Sequence, residues 1–309
     1  SADGGPAQRM AKDYAYNVAA RTSTVSLEGV PNSTSTVAFD SVWRQTSSTS
    51  PLGVTAAQQW HATKDIVLSA TSSVGLKSTT IYDPATDRAT DSYGPAPAAC
   101  FQPSGYPVSN PVGASGCGIL PAHSSTTYDG GLQGLQATYY ANRSLSGKPT
   151  LIDFGIGGTA GAVDRNWGVA SPGAGIGVDN WSLRLTGLVT FPAAGQYTFV
   201  TNSDDGARVW VGDTLLVDKW ETGALERVGV PIIVAAGETR RIRVEYRDDA
   251  TGASLQLKWR TPSSGTTASV VPGTALRPDY GLVSRTTTDD STNAPGAVAP
   301  STTAAMTYQ

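Results

Sequence analysis

Apolar and polar positions alternate through five short runs in the middle of the chain. They are Trp181-Ser182-Leu183-Arg184-Leu185-Thr186-Gly187-Leu188-Val189, Gln196-Tyr197-Thr198-Phe199-Val200, Ala207-Arg208-Val209-Trp210-Val211, Arg241-Ile242-Arg243-Val244-Glu245-Tyr246 and Leu255-Gln256-Leu257-Lys258-Trp259. A period of two sends successive side chains to opposite faces, so each run predicts a strand with one face buried. Many such strands with turns between them predict an antiparallel sandwich or barrel. Shorter alternations, Thr22-Ser23-Thr24-Val25-Ser26-Leu27 and Asp65-Ile66-Val67-Leu68-Ser69, predict hairpins in the first part of the chain.

Composition supports an all-β reading. Of 309 residues, 15% are charged and 39% hydrophobic, with 34 Gly and 19 Pro; few charges and many turn formers favour strands over helices. The length predicts two domains or one large β domain. A net charge of −3 with both signs scattered offers no basic stripe for a phosphate backbone, so nucleic acid is not expected as a partner. The longest apolar stretch, Val230 to Ala236, is far too short to span a membrane, and no charged-then-apolar signal opens the chain. The sequence reads as a soluble piece of something longer. Its two cysteines, Cys100 and Cys117, are too few for a zinc site and well placed to close one loop; a disulfide there predicts export from the cytosol.

An aromatic followed by a polar residue recurs at Tyr16-Asn17, Phe39-Asp40, Trp60-His61 and Tyr82-Asp83, at intervals of 23, 21 and 22. A basic residue follows each aromatic by four to six positions (Arg21, Arg44, Lys64, Arg88), and Gly29, Gly53 and Gly75 follow the first three. Each unit predicts one hairpin. Tyr128-Asp129 falls about two periods later, and Tyr308-Gln309 closes the chain in a similar context. The register resembles the YD repeat of the Rhs family, whose units build a long sheet that spirals into a hollow shell. Tyr82-Asp83-Pro84-Ala85-Thr86-Asp87-Arg88 matches best, with Asp87 where the family places Gly. The expected organisation is repeat strands over residues 1–93, a Pro/Gly-rich linker over 94–133 holding both cysteines, a middle domain over 134–279, and returning repeat strands over 280–309.

The middle domain carries Tyr139-Tyr140, Gly147-Lys148-Pro149, Asn166-Trp167-Gly168, Phe191-Pro192-Ala193-Ala194-Gly195-Gln196-Tyr197-Thr198-Phe199, Ser203-Asp204-Asp205-Gly206-Ala207-Arg208-Val209-Trp210-Val211, Leu215-Leu216-Val217-Asp218-Lys219-Trp220 and the closing Leu255-Gln256-Leu257-Lys258-Trp259, in that order. This succession resembles the PA14 domain, and the resemblance implies a β-sandwich or barrel inserted in a larger protein, with several relatives binding carbohydrate. In sugar-binding adhesins two consecutive aspartates joined by a cis peptide hold a calcium ion that grips sugar hydroxyls. By position that pair is Asp204-Asp205. The later loop, Arg247-Asp248-Asp249-Ala250-Thr251-Gly252, offers Asp248 and Asp249, where adhesins usually place an Asn.

The chemistry gives this pattern a reason. Calcium takes six to eight oxygens, and neighbouring carboxylates on an extended strand point to opposite sides, so a cis bond would bring them together. An extra carboxylate in place of Asn raises metal affinity and leaves less positive charge for sugar hydroxyls. The plainer alternative for Asp204-Asp205-Gly206 is a solvated turn. Trp220, ending an apolar run, is expected in the core rather than stacked on a sugar.

Other patterns are discounted. Gly155-Ile156-Gly157-Gly158-Thr159-Ala160 approximates a dinucleotide fingerprint without the helix or acidic partner it needs. His61 takes the slot of Asp40 and Asp83 and reads as structural; neither it nor His123 lies in a nucleophile motif. No two carboxylates stand out as a glycosidase pair, and Asn32, Asn142 and Asn180 are assigned no role as glycan acceptors. The expectation is a non-enzymatic, calcium-dependent carbohydrate-binding module in a secreted or surface Rhs-type protein. The alternatives are a ligand-free structural insert and an accessory module of a hydrolase.

Overall fold

The computed structural model describes residues 11–289 and 301–305, so Tyr308-Gln309 and part of the returning segment lie outside the described residues. The described residues are strands, turns and short 3-10 turns, and no helix among them is long and apolar enough to cross a membrane. The chain divides into two compact units. One comprises residues 1–127 with 284–309, the other 128–283.

The first unit is an eleven-stranded antiparallel sheet. Its first nine strands follow chain order, and Val283–Asp289 and Ser301–Ala305 complete it. The repeat is explained by its turns. In each unit the aromatic lies at or one residue before a strand end and the polar residue after it accepts backbone N–H groups in the hairpin turn: Ala20 N to Asn17 Oδ1, Val42 N to Asp40 Oδ1, Thr63 N to His61 Nδ1, and Ala85 N to Asp83 Oδ1. His61 therefore does the same structural work as the aspartates. The basic residue reaches outward. Arg44 holds Asp40 at 2.7 Å and donates to the carbonyls of His61 and Lys64 in the next turn at 3.0 and 2.8 Å, while Lys64 pairs with Asp87 one turn further on. A hairpin-long period thus places Arg44 and Lys64 each against the next turn.

Most side chains of this sheet are half-buried or exposed, and its fully buried cluster is small: Ala96, Cys100 and Phe101, packed with Tyr93, Cys117 and Ile119. Cys100 and Cys117 form a disulfide. The segment expected to be a linker departs from that expectation at both ends. Ala89–Pro97 and His123–Tyr128 are neighbouring strands of the sheet; Pro and Gly report turn density, which does not forbid pairing. His123 is itself held there, stacked on Tyr93 at 4.4 Å with Nε2 2.9 Å from Asp91 and Nδ1 3.0 Å from Asp289. Because so little apolar surface is buried in this unit, the cross-link carries unusual weight. Replacing both cysteines by serine is expected to lower its stability by about 3 kcal/mol, the loop-closure entropy of a loop of this size, as read by denaturant unfolding; an unchanged midpoint would remove the disulfide from the account.

The second unit packs two antiparallel sheets. One runs Leu151–Phe154, Gln136–Tyr140, Trp181–Thr190, Thr239–Asp248, Gly206–Val211 and Thr214–Lys219, with Leu276–Arg277 also paired to Trp181–Thr190. The other runs Asp164–Gly168, Ala253–Arg260, Gly195–Asp204 and Leu225–Val234, with Ser269–Val270 paired to Ala253–Arg260. In Ala253–Arg260 burial alternates perfectly: Ala253, Leu255, Leu257 and Trp259 face the core while Ser254, Gln256, Lys258 and Arg260 face outward. The core joins Tyr197, Phe199, Trp259, Leu183, Leu185 and Val244 to an aromatic group in which Trp167, Trp181 and Tyr246 lie 5.1 to 5.7 Å apart. Gly187 is required by close approach, since a Cβ there would meet the carbonyl oxygen of Arg277 at 2.3 Å. The Gly155 stretch ends in a 3-10 turn, Thr159–Gly161, rather than a helix.

Candidate functional site

The aromatic group of Trp167, Trp181 and Tyr246 forms the floor on which the acidic residues sit. Asp204 ends the strand Gly195–Asp204, is joined to Asp205 by a cis peptide, and Gly206 opens the next strand. Gly206 lets Arg247 and the backbone of Trp220 approach, for a Cβ would lie 3.2 to 3.3 Å from both. Asp248 ends the neighbouring strand and Asp249 starts its loop. The four aspartates singled out in the sequence thus come from two adjacent strand ends.

Their commitments differ. Asp205 is buried and anchored: Oδ1 accepts from Gly223 N at 2.5 Å and Oδ2 from Asp249 N at 2.6 Å. Asp249 is taken by cations. Its carboxylate faces Arg143 at 3.4 Å and Arg247 at 3.1 Å and accepts from Thr222 Oγ1. Its carboxylate is thus shared with two guanidiniums, unlike those of the other three aspartates. Asp248 is the opposite case: fully buried, with neither carboxylate oxygen meeting a hydrogen-bond partner. Burial, reinforced by the charges of Asp205, Asp179, Asp204 and Asp249, pushes its carboxyl up to about 7. Asp204 is also raised, first by burial and then by Asp205. Asp179, which the sequence reading did not single out, borders the site and accepts from Thr251 N at 2.9 Å.

A second residue missed in the sequence lies underneath. Lys219 is completely buried, and its ammonium donates to the carbonyls of Ser203 at 3.2 Å, Asp205 at 2.6 Å and Gly223. Burial pulls its pKa down while Asp205, Glu221 and Asp204 oppose that shift. Tyr246 donates its hydroxyl to the carbonyl of Asp204. The backbone around the cis bond is therefore held from below by a lysine and a tyrosine. Trp220 is not in the core as expected; it is half-buried beside the site, with Arg208 and Arg247 over its ring at 4.6 and 5.5 Å. The run it ends is apolar, but the strand Thr214–Lys219 stops one residue earlier.

An all-oxygen set of carboxylates around a buried, unpartnered one is of the kind that a hard divalent ion neutralises. As placed, no three Asp, Glu, His or Cys side chains converge on one metal position among the described residues.

The PA14 domain profile matches residues 131–271. The anti-sigma-I factor RsgI3 of Acetivibrio thermocellus is 33% identical over 156 residues, 50% of this chain and 23% of that protein; the chain therefore spans less than a quarter of that relative's length. Among solved structures, an anti-sigma factor domain-containing protein from Clostridium clariflavum is 31% identical over 47% of each chain, with a TM-score of 0.43. A PA14 sugar-binding domain from an RTX adhesin is 19% identical over 47% of this chain and 98% of its own, with a TM-score of 0.38. The segment 131–271, which the PA14 profile matches and which holds most of the two packed sheets, is a PA14 domain.

Proposed function

We propose that the PA14 domain is a non-enzymatic, calcium-dependent carbohydrate-binding module of a secreted or surface-displayed protein. The observation that carries this reading is the fully buried, unpartnered carboxylate of Asp248 beside Asp204-Asp205. Asp204, Asp205 and Asp248 would hold the ion, with Asp179 at the border and Lys219 fixing the backbone beneath. Bound calcium would supply open coordination positions for neighbouring sugar hydroxyls. The repeat sheet then serves as the carrier, a section of a larger YD-repeat wall of Rhs type; its regular hairpin register supports that context.

A ligand-free structural insert is favoured by one observation: among the described residues, no three such side chains converge. Calorimetry separates the two readings. Titrating calcium into chelator-treated protein is expected to give saturable, near one-to-one binding that an Asp204→Ala, Asp205→Ala double variant loses, followed by glycan binding only in calcium. No heat, with the same melting temperature in calcium and in chelator, would establish the structural insert instead.

A further inference from the structure

A second cleft lies at the other end of the strand that begins beside Asp205. Trp210 is five residues along it, roughly 16 Å away at strand spacing, next to the turn that joins Gly206–Val211 to Thr214–Lys219. The cleft encloses about 400 Å3 and is lined by Gly187, Trp210, Asp213, Arg241, Arg243 and Asp279. Arg241 and Arg243 flank the inward Ile242, so both guanidiniums leave the sheet on its outer face. Arg243 is the cross-strand partner of Trp210, and its guanidinium lies 4.0 Å from the ring centre.

These two arginines are loosely engaged. Asp279 faces Arg241 at 3.5 Å and Glu245 faces Arg243 at 3.6 Å, whereas Arg184, Arg208 and Arg240 in the same domain hold their carboxylates at 2.6 to 3.0 Å. A tight charge-assisted bond is about 2.7 to 2.9 Å, so the cleft keeps forked donors that a planar anion would engage better. Both remain accessible, with 59% and 45% of their side chains exposed.

We infer that this cleft is a second, calcium-independent binding site for a saccharide that carries a carboxylate, such as a uronic acid unit. A sugar carboxylate takes the fork of Arg241 or Arg243, hydroxyls donate to the carboxylate of Asp213, and the apolar face of the ring rests along the Trp210–Arg243 stack. The presence of Asp213 and Asp279 beside the arginines decides the class. A densely charged strand would meet as many repelling groups as attracting ones, while a ring with one carboxylate and several hydroxyls uses both signs.

The test is calorimetric titration of alginate oligosaccharides into the full chain in EDTA, which silences any calcium site and keeps the two readings separable. Binding is expected in EDTA, to be at least about tenfold weaker in an Arg241→Gln, Arg243→Gln variant, and to be unchanged in Asp204→Ala, Asp205→Ala. The single Arg241→Gln variant, at an exposed position, gives a smaller loss in the same direction and guards against a folding defect in the double one. Cello-oligosaccharides, of similar size but neutral, are expected to bind at least about tenfold more weakly. No binding in EDTA, equal binding by the arginine variants, or equal affinity for the neutral oligomer would each overturn the inference.

Discussion

In chelator at pH 8, Asp248→Asn is expected to make the PA14 domain more stable than the natural protein, and to abolish its stabilisation by calcium. Asp248 is fully buried with both oxygens unpartnered, and its carboxyl is pushed up to about 7 by burial and by Asp205, Asp179, Asp204 and Asp249. The unfolded chain ionises this group near 4. Below that pH both states are protonated and the site costs nothing. Between about 4 and 7 only the unfolded chain has released the proton, so stability falls as pH rises, and above 7 it levels off at its lowest value. The full loss is on the order of 4 kcal/mol, three pKa units at about 1.4 kcal/mol each. Asparagine never ionises, so the variant should lose this part of the slope and keep only the part that Asp204, also raised, contributes.

At the proposed site calcium would act on the same charge from the other side. An ion that binds only the folded, ionised site stabilises by about 2.7 kcal/mol at a hundred times its dissociation constant. The calcium effect on the natural protein should therefore be larger at pH 8 than at pH 5. Urea unfolding followed by tryptophan fluorescence from pH 5 to 8, with and without calcium, reads both effects, since five of the seven tryptophans lie in residues 128–283. A natural protein whose stability in chelator is flat across this range would sink the argument.

How much of this site the sequence made legible follows from the range of each interaction. The strands were readable because alternation is local: Ala253 to Arg260 announce their inward and outward faces by residue type alone. Asp204-Asp205 stood out as an adjacent pair, and the turn-capping series Asn17, Asp40, His61 and Asp83 stood out by its period. What escaped is set by distant partners. Asp249 and Asp248 are identical neighbours in sequence, yet Arg143, from 106 residues away, and Arg247 pair with the first while the second, opposite Trp181 on the adjacent strand, is fully buried. His123-Ser124-Ser125-Thr126-Thr127-Tyr128 carries no apolar alternation, so nothing local showed that it pairs with Ala89–Pro97. Lys219 carried no local signal of its own in the run Leu215 to Trp220; only the fold turns three carbonyls toward it.

Lys219→Met is the substitution expected to cost most. Methionine keeps much of the side-chain volume and removes the charge and its donors, leaving the carbonyls of Ser203, Asp205 and Gly223 without the ammonium that serves all three. It also leaves Asp204 and Asp205 without the buried cation that opposes their charge. Removing one partner of a buried charge cluster typically costs about 3 to 5 kcal/mol, and that loss is expected in chelator by urea unfolding. Calcium distinguishes the two parts of the cost. A divalent ion at Asp204 and Asp248 restores positive charge but not the hydrogen bonds to the three carbonyls, so saturating calcium should recover part of the loss and leave the rest. Full recovery would make Lys219 a counter-charge alone, and none would make it a strut for the backbone around Asp205. A variant as stable as the natural protein in chelator would mean that the buried ammonium contributes neither.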